Sequence, residues 1–421
     1  MKRVLAALAA ALLLAIAAIV ALNLRDEDGS AGAHAPPAGI AGAEIIERGR
    51  YLALAGNCAG CHSLPGAPAF AGGLGIPTPF GTVFAGNLTR DPQTGLGDWS
   101  AGDFWRAMHN GRSRDGRLLY PAFPYTSFTR ITRADSDALF AYLQSVPPAA
   151  QANRPHELPF PYNTQAALAV WRALYFRPGV FEPDATRGAE WNRGAYLVRG
   201  PGHCNACHAP RGRLGGIDDT PELKGGLIPR LNWFAPALGP AAGITSAADQ
   251  QAEWVALLKT GRSAHRSASG PMAEVVFNST QHLLDADIRA MTVFMATLPP
   301  PPAAPPRQAD PPAPALLKTG QALYKDRCAA CHGDEGQGAI GAYPALAGNP
   351  TVLMEPAANA VRIVLEGGFL PATAGNPRPH GMPPFAQSLS NAEVAAVLSH
   401  VRNAWGNQAA ALSELDVARY R

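Results

Sequence analysis

The sequence predicts a mainly α protein: three similar domains, each wrapping long Gly/Pro-rich loops around a bound group, preceded by one N-terminal transmembrane helix. Three observations lead there. The pentapeptide Cys-x-x-Cys-His occurs three times, as Cys58-Ala-Gly-Cys61-His62, Cys204-Asn-Ala-Cys207-His208 and Cys328-Ala-Ala-Cys331-His332. Each copy follows a short helix-like segment carrying a glycine, and each unit closes on an amphipathic helix. The chain itself opens on Met1-Lys2-Arg3 and an unbroken apolar run from Val4 to Leu22.

That run of 19 residues nearly matches the ~20 needed to cross a bilayer and exceeds the usual core of a secretory signal. Residues 1–25 are therefore read as a signal anchor. The basic pair holds the N-terminus inside and sends the chain beyond Arg25 outward. A cleaved signal peptide is the alternative, with Ala31-Gly32-Ala33 as a late, imperfect processing site. Both readings export the chain to a place where free thiols oxidise.

The three pentapeptides use all six cysteines, leaving none for a disulfide or a separate zinc site. The motif is the attachment signature of c-type haem: two thiols at this spacing meet the two vinyl groups, and the adjacent His reaches the iron. A lone copy would also suit half a zinc site or a redox dithiol. Three copies, each followed at once by His, favour three covalently bound haem c groups. Cys58, Cys61, Cys204, Cys207, Cys328 and Cys331 would carry the thioethers, and His62, His208 and His332 would be the proximal iron ligands.

The repeats fix the domain plan. Arg48-Gly49-Arg50-Tyr51, Arg193-Gly194-Ala195-Tyr196 and Thr319-Gly320-Gln321-Ala322 begin similar first helices. Last helices run from Asp135 to Val146, Asp287 to Leu298 and Glu393 to Trp405, each with an acid in its first turn to suit the helix dipole. Seven positions beyond those acids stand Tyr142, Phe294 and His400, expected at the crossing of first and last helices. Haem supplies much of the core of such loop-rich units. Domains are predicted at 44–148, 187–299 and 315–407. Residues 149–186 form a connector whose apolar segment Ala166 to Phe176 packs on domains 1 and 2, unless Trp171, Leu174 and Phe176 face a partner subunit. Residues 300–314 form a Pro-rich, semi-rigid linker expected to let the third domain sit apart.

Six-coordinate haem needs a distal ligand, usually Met or His. Met272, in Ser269-Gly270-Pro271-Met272, lies 64 residues after His208, and Met382, in His380-Gly381-Met382-Pro383-Pro384, lies 50 after His332. Both precede a last helix and are expected as distal iron ligands. The first unit breaks the pattern: aligning Gly111-Arg112-Ser113 with Gly261-Arg262-Ser263 sets Phe123 opposite Met272. Phenylalanine cannot ligate iron. Met108 and His109 are the nearest upstream candidates; otherwise that haem is five-coordinate, with a potential unlike the others.

A formal net charge of +3 and the lack of basic runs argue against a nucleic-acid partner. No nucleotide fold, phosphate loop or nucleophile motif is evident. Electron transfer without substrate chemistry is the leading expectation. The alternative is a haem enzyme that uses an open first haem for small-molecule redox chemistry.

The three modules, Gly202-His203-Cys204-Asn-Ala-Cys207-His208-Ala-Pro-Arg211, Asn87-Leu-Thr-Arg-Asp91 with Gly95-Leu-Gly97-Asp-Trp99-Ser100, and Leu119-Tyr120-Pro121-Ala122 resemble the three-haem cytochrome c subunits of membrane-bound periplasmic dehydrogenases, such as alcohol dehydrogenase and gluconate 2-dehydrogenase. The resemblance runs from about Glu44 to Trp405. It implies cytochrome c-type domains at the periplasmic face of a bacterial inner membrane. It also implies electrons passing from a dehydrogenase catalytic subunit to ubiquinone or a terminal oxidase. The family's distal methionines fall on Met272 and Met382. The alcohol dehydrogenase branch has Met where this chain has Phe123.

Overall fold

The protein is described here by a computed structural model covering residues 1–24, 42–240, 246–300 and 312–421. The processing site at Ala31 to Ala33 and nearly all of the Pro-rich linker lie outside the described residues. The described chain forms two units, Met1–Ala206 with Arg211–Asp219, and Cys207–Pro210 with Thr220–Arg421.

In the first unit the helix Lys2–Asn23 is long and apolar enough to cross a membrane, with a mean hydropathy of 2.9. The helix Gly42–Ala55 then crosses the helix Arg133–Ser145. Gly49 marks the crossing: a Cβ there would run into the Ala138 carbonyl and stand 2.7 Å from the Tyr142 Cβ. The glycine of the first helix and the aromatic seven beyond Asp135 thus meet, as the repeat pattern leads one to expect. Between these helices the chain makes a two-stranded antiparallel hairpin, β1 (Gly75–Thr78) with β2 (Gly81–Phe84), Gly75 facing Phe84. It then enters the helix Ala101–Asn110 through a Ser100/Asp103 capping box, which satisfies orphan N–H groups at the helix start. Leu52, Phe104, Met108, Phe128, Ile131, Leu139 and Leu143 form the core, and Cys58, Ala59 and Phe123 pack against it.

The helix Ala189–Arg199, which opens the second repeat, is tied into this unit through Asp135, whose side chain is only 3% exposed. Arg48 lies 2.6 Å from that carboxylate, and the Tyr196 hydroxyl donates to it. A carboxylate so buried needs both partners. Connector residues join in. Gln165 bonds both the N–H (2.7 Å) and the carbonyl (3.2 Å) of Leu118, and Trp171 Nε1 donates to the Leu214 carbonyl at 2.9 Å.

The second unit carries the hairpin β3 (Gly226–Ile228) with β4 (Trp233–Ala235) and the helices Ala247–Thr260, Pro271–Asn278 and Asp285–Met295. Its remaining helices include Pro314–Arg327 and Asn391–Val401, which cross at Gly320. A Cβ on Gly320 would run into the Ala396 carbonyl and stand 2.8 Å from the His400 Cβ, the same crossing as at Gly49. After the last helix Arg402, fully buried, donates to the Val352 (2.6 Å), Met354 (3.1 Å) and Ala410 (3.0 Å) carbonyls and pairs with Glu355. Four partners offset the desolvation of that guanidinium.

The Pro-rich linker predicts a third repeat standing apart, and here the structure differs. The Asn359 amide of the helix Ala358–Glu366 accepts from the Phe234 N–H and donates to the Phe234 carbonyl, both at 2.8 Å. A strand edge carries unpaired backbone groups, and one side-chain amide satisfies both on β4. That pairing binds the third repeat to the second.

Substituting Gly49→Val or Gly320→Val is expected to destabilise the protein by about 3 kcal/mol, because the added atoms meet helix backbone that has no rotamer to escape into. Denaturant unfolding of the holoprotein measures it. A change below about 0.5 kcal/mol at either position would mean that the helices do not cross there.

Candidate haem sites

Each pentapeptide ends in a short helical turn, Cys58–His62, Asn205–His208 and Ala329–His332. The first two are entered through residues in the left-handed region, Asn57 at φ 47° and His203 at φ 37°. None of the six cysteines forms a disulfide. Burial, with Cys61 adding to it, pushes the Cys58 thiol up to about 12, and burial with Cys331 pushes Cys328 to about 11.

One constellation recurs at all three histidines. His62 Nδ1 lies 2.7 Å from the Gly86 carbonyl, His208 Nδ1 2.6 Å from that of Pro236, and His332 Nδ1 3.0 Å from that of Pro344. A carbonyl only accepts, so Nδ1 carries the proton and the Nε2 lone pair is free for a metal. Burial lowers the pKa of all three imidazoles despite the carbonyl contact, which keeps them neutral. Each His carbonyl accepts in turn a glycine N–H at 2.8 Å, from Gly72, Gly225 and Gly338. Those glycines sit at φ 79°, 86° and 68°. A Cβ would stand 2.5 Å from the Gly86 carbonyl carbon, 2.7 Å from the Ala237 nitrogen and 2.5 Å from the Tyr343 carbonyl oxygen, respectively. Neutral, tautomer-fixed imidazoles beside paired thiols suit covalent haem.

Chains of contacts run from the segments that carry Met272 and Met382 toward His208 and His332. Met272 stands in the first turn of Pro271–Asn278, which has Pro near its N-terminus. The preceding Gly270 lies against the Trp233 ring, where a Cβ would come within 2.5 Å, and Trp233 begins the strand that leads to Pro236 and hence to His208. Met382 lies in β6 (Gly381–Met382), paired with β5 (Gly368–Phe369), Gly368 opposite Met382. Its neighbour His380 packs on Tyr343 at 5.0 Å, and Tyr343 lies 6.5 Å from the His332 ring. Met272 and Met382 are both half-buried.

The first site differs. Met108 is 6% exposed inside the core. His109 is 3% exposed. Its Nδ1 lies 2.9 Å from the Thr129 carbonyl, and its ring stacks on Trp105 at 4.5 Å and 9°. Phe123 is half-buried beside Phe128, 5.3 Å between centroids.

A further residue, invisible in the motif spacing, joins two sites. His203 Nε2 lies 3.1 Å from the Gly56 carbonyl, so that nitrogen donates. His203 immediately precedes Cys204, and Gly56 stands two residues before Cys58. The Phe128 edge meets the His203 ring at 5.3 Å and 87°.

The chain is also similar to known proteins. The family profile described as Cytochrome c matches residues 46–147, 192–299 and 317–405. A nicotinate dehydrogenase subunit of Pseudomonas putida is 42% identical over 87% of this chain, which spans 31% of that longer protein. The cytochrome c subunit of quinone alcohol dehydrogenase from Gluconacetobacter polyoxogenes is 36% identical over 93% of this chain and 87% of its own. The gluconate 2-dehydrogenase cytochrome c subunit of Pantoea cypripedii is 38% identical over 90% of this chain and 89% of its own.

Proposed function

The chain belongs to the cytochrome c family, among the cytochrome c subunits of dehydrogenases, and on that premise we propose that it relays electrons through three covalent haems. The electrons would come from a dehydrogenase catalytic subunit and pass to ubiquinone or a terminal oxidase. Cys58, Cys61, Cys204, Cys207, Cys328 and Cys331 would hold the porphyrins, His62, His208 and His332 would ligate iron through Nε2, and Met272 and Met382 would complete the second and third sites. When bound, haem iron supplies reversible one-electron chemistry. The protein's part is to fix each imidazole by its carbonyl, exclude water with the surrounding apolar core, and hold successive attachment points close.

The observation that carries the relay reading is the His203–Gly56 hydrogen bond. It joins the backbone leading to Cys58 to the residue before Cys204, so a single side chain spans the interval between two attachment points. Replacing His203 with Ala is expected to slow electron exchange between the first two haems. His203→Gln, which keeps a donor, should restore part of the rate. Pulsed reduction followed by absorbance measures it, after haem quantification and a redox titration have confirmed three one-electron centres. Fewer than three haems in wild-type protein would end the relay reading; an unchanged rate in His203→Ala would remove this residue from it.

The same reading places the chain at the outer face of a bacterial inner membrane with its anchor retained. What supports retention is the lock on the anchor's last turn. Asn23 donates to the Ala169 carbonyl at 2.9 Å and accepts from Arg172 Nε at 2.9 Å, and Arg112 donates to the Asn23 carbonyl at 3.3 Å. A segment removed by processing has no need of a buried polar lock to the mature fold.

A further inference from the structure

We infer that Phe123 leaves the first haem without a sixth protein ligand, making that position a binding site for a small uncharged diatomic such as carbon monoxide. The inference rests on the haem-binding reading and goes beyond relay, since it gives one of the three sites an exogenous ligand.

Backbone register carries the argument. The helices Ala101–Asn110 and Ala247–Thr260 both end on a left-handed glycine, Gly111 at φ 59° and Gly261 at φ 77°. The chain then turns back, with Ser113 N–H donating to the Arg117 carbonyl and Ser263 N–H to that of Arg266, at 2.9 and 2.8 Å. The second turn is one residue shorter. Each return strand closes on its glycine: Leu119 N–H donates to the Gly111 carbonyl at 2.8 Å, and Ala268 N–H to the Gly261 carbonyl at 2.7 Å. Leu119 therefore corresponds to Ala268. Four residues further on in each chain stand Phe123 and Met272. The one-residue offset in the sequence alignment is taken up by the shorter turn, and Phe123 occupies the methionine's place.

Neither upstream residue replaces it. Counting back from the capping glycines, Met108 corresponds to Leu258, a buried core leucine at 8% exposure, so the Met108 side chain fills a packing position. His109 corresponds to Lys259. Both tie the end of this helix to the segment before the unit's last helix: His109 Nδ1 to the Thr129 carbonyl, Lys259 Nζ to the Leu283 carbonyl at 2.8 Å. Buried at 3% exposure with its ring stacked on Trp105, His109 is committed to the scaffold. Phe123 itself packs on the core that also receives Cys58 and Ala59, with Phe128 and Tyr125 as aromatic neighbours at 5.3 and 6.5 Å. An apolar surround of this kind favours a neutral ligand over an anion.

Carbon monoxide titration of the reduced full-length protein in detergent tests it, with haem quantified on the same sample. Wild type is expected to bind one equivalent per chain, Phe123→Met none, and Met272→Ala two. Met108→Leu and His109→Gln should each leave the wild-type stoichiometry unchanged. Three haems with no carbon monoxide bound would overturn the inference and leave relay standing; a gain of one equivalent over wild type in Met108→Leu or His109→Gln would also overturn it and name that residue as the ligand. Absence of the first haem would instead overturn the haem-binding reading beneath it.

Discussion

Exchanging Met382 for His is expected to lower one of three midpoint potentials by roughly a few hundred millivolts, within the ~0.8 V range over which axial ligands set haem potentials. A thioether stabilises ferrous iron relative to an imidazole, so methionine ligation raises the potential and its loss lowers it. The scaffold around Met382 should survive the exchange. Backbone pairing of β5 with β6 holds the ligand loop, and His380 packs on Tyr343, none of which uses the Met382 sulfur. Three haems should remain bound and low-spin, and the other two potentials should stay within tens of millivolts. Met354→Leu is the control, since the Met354 sulfur faces the Asn359 amide at 3.9 Å and is no candidate ligand. Spectroelectrochemical titration of both variants decides it. If Met382→His and Met354→Leu give the wild-type set of potentials, Met382 does not ligate iron.

What the sequence makes legible is what lies close along the chain. Thiol pairs and their histidines are read from five consecutive residues, and the mainly α threefold design follows from the recurrence of those five between similar helices. The helix crossings were also readable, because Gly49 with Tyr142 and Gly320 with His400 recur at matching places in their repeats. The carbonyls that orient the imidazoles were not. Gly86, Pro236 and Pro344 stand 24, 28 and 12 residues beyond their histidines, so no spacing rule finds them. His203 looks like part of a motif, yet its partner Gly56 is 147 residues away. Met108 and His109 entered as candidate ligands on proximity in sequence, and only tertiary packing shows one in the core and the other clamped to Thr129. The expectation of a separate third repeat failed for a similar reason. Prolines report stiffness of the linker, whereas the Asn359–Phe234 pairing depends on a strand edge that composition does not reveal.

Gly225→Val is expected to strip most of the haem from the second site, taking the ratio from three per chain toward two. Two effects act together. Gly225 lies at φ 86°, where a side chain costs ~1–2 kcal/mol and a β-branched one more. The new Cβ would also stand 2.7 Å from the Ala237 nitrogen, 2.9 Å from the Ala235 carbonyl oxygen and 3.0 Å from the Pro236 carbonyl carbon. All three are backbone atoms, so relief requires shifting the strand end itself. That strand end is what orients His208: its Nδ1–H donates to the Pro236 carbonyl at 2.6 Å, and its carbonyl accepts the Gly225 N–H at 2.8 Å. An imidazole freed from such outer partners no longer presents Nε2 to the iron while the thioethers form, so the second haem fails to attach. Gly116→Ala separates strain from displacement. Gly116 has the same φ of 86° but no atom within 4 Å of its would-be Cβ, so it should cost about 1 kcal/mol and keep all three haems. Haem-to-protein ratios from absorbance and intact mass, with a thermal melt of each variant, read the contrast. Equal haem content in the two variants would mean that the glycine beside His208 serves the turn alone and that the carbonyl clamp does not hold the proximal ligand.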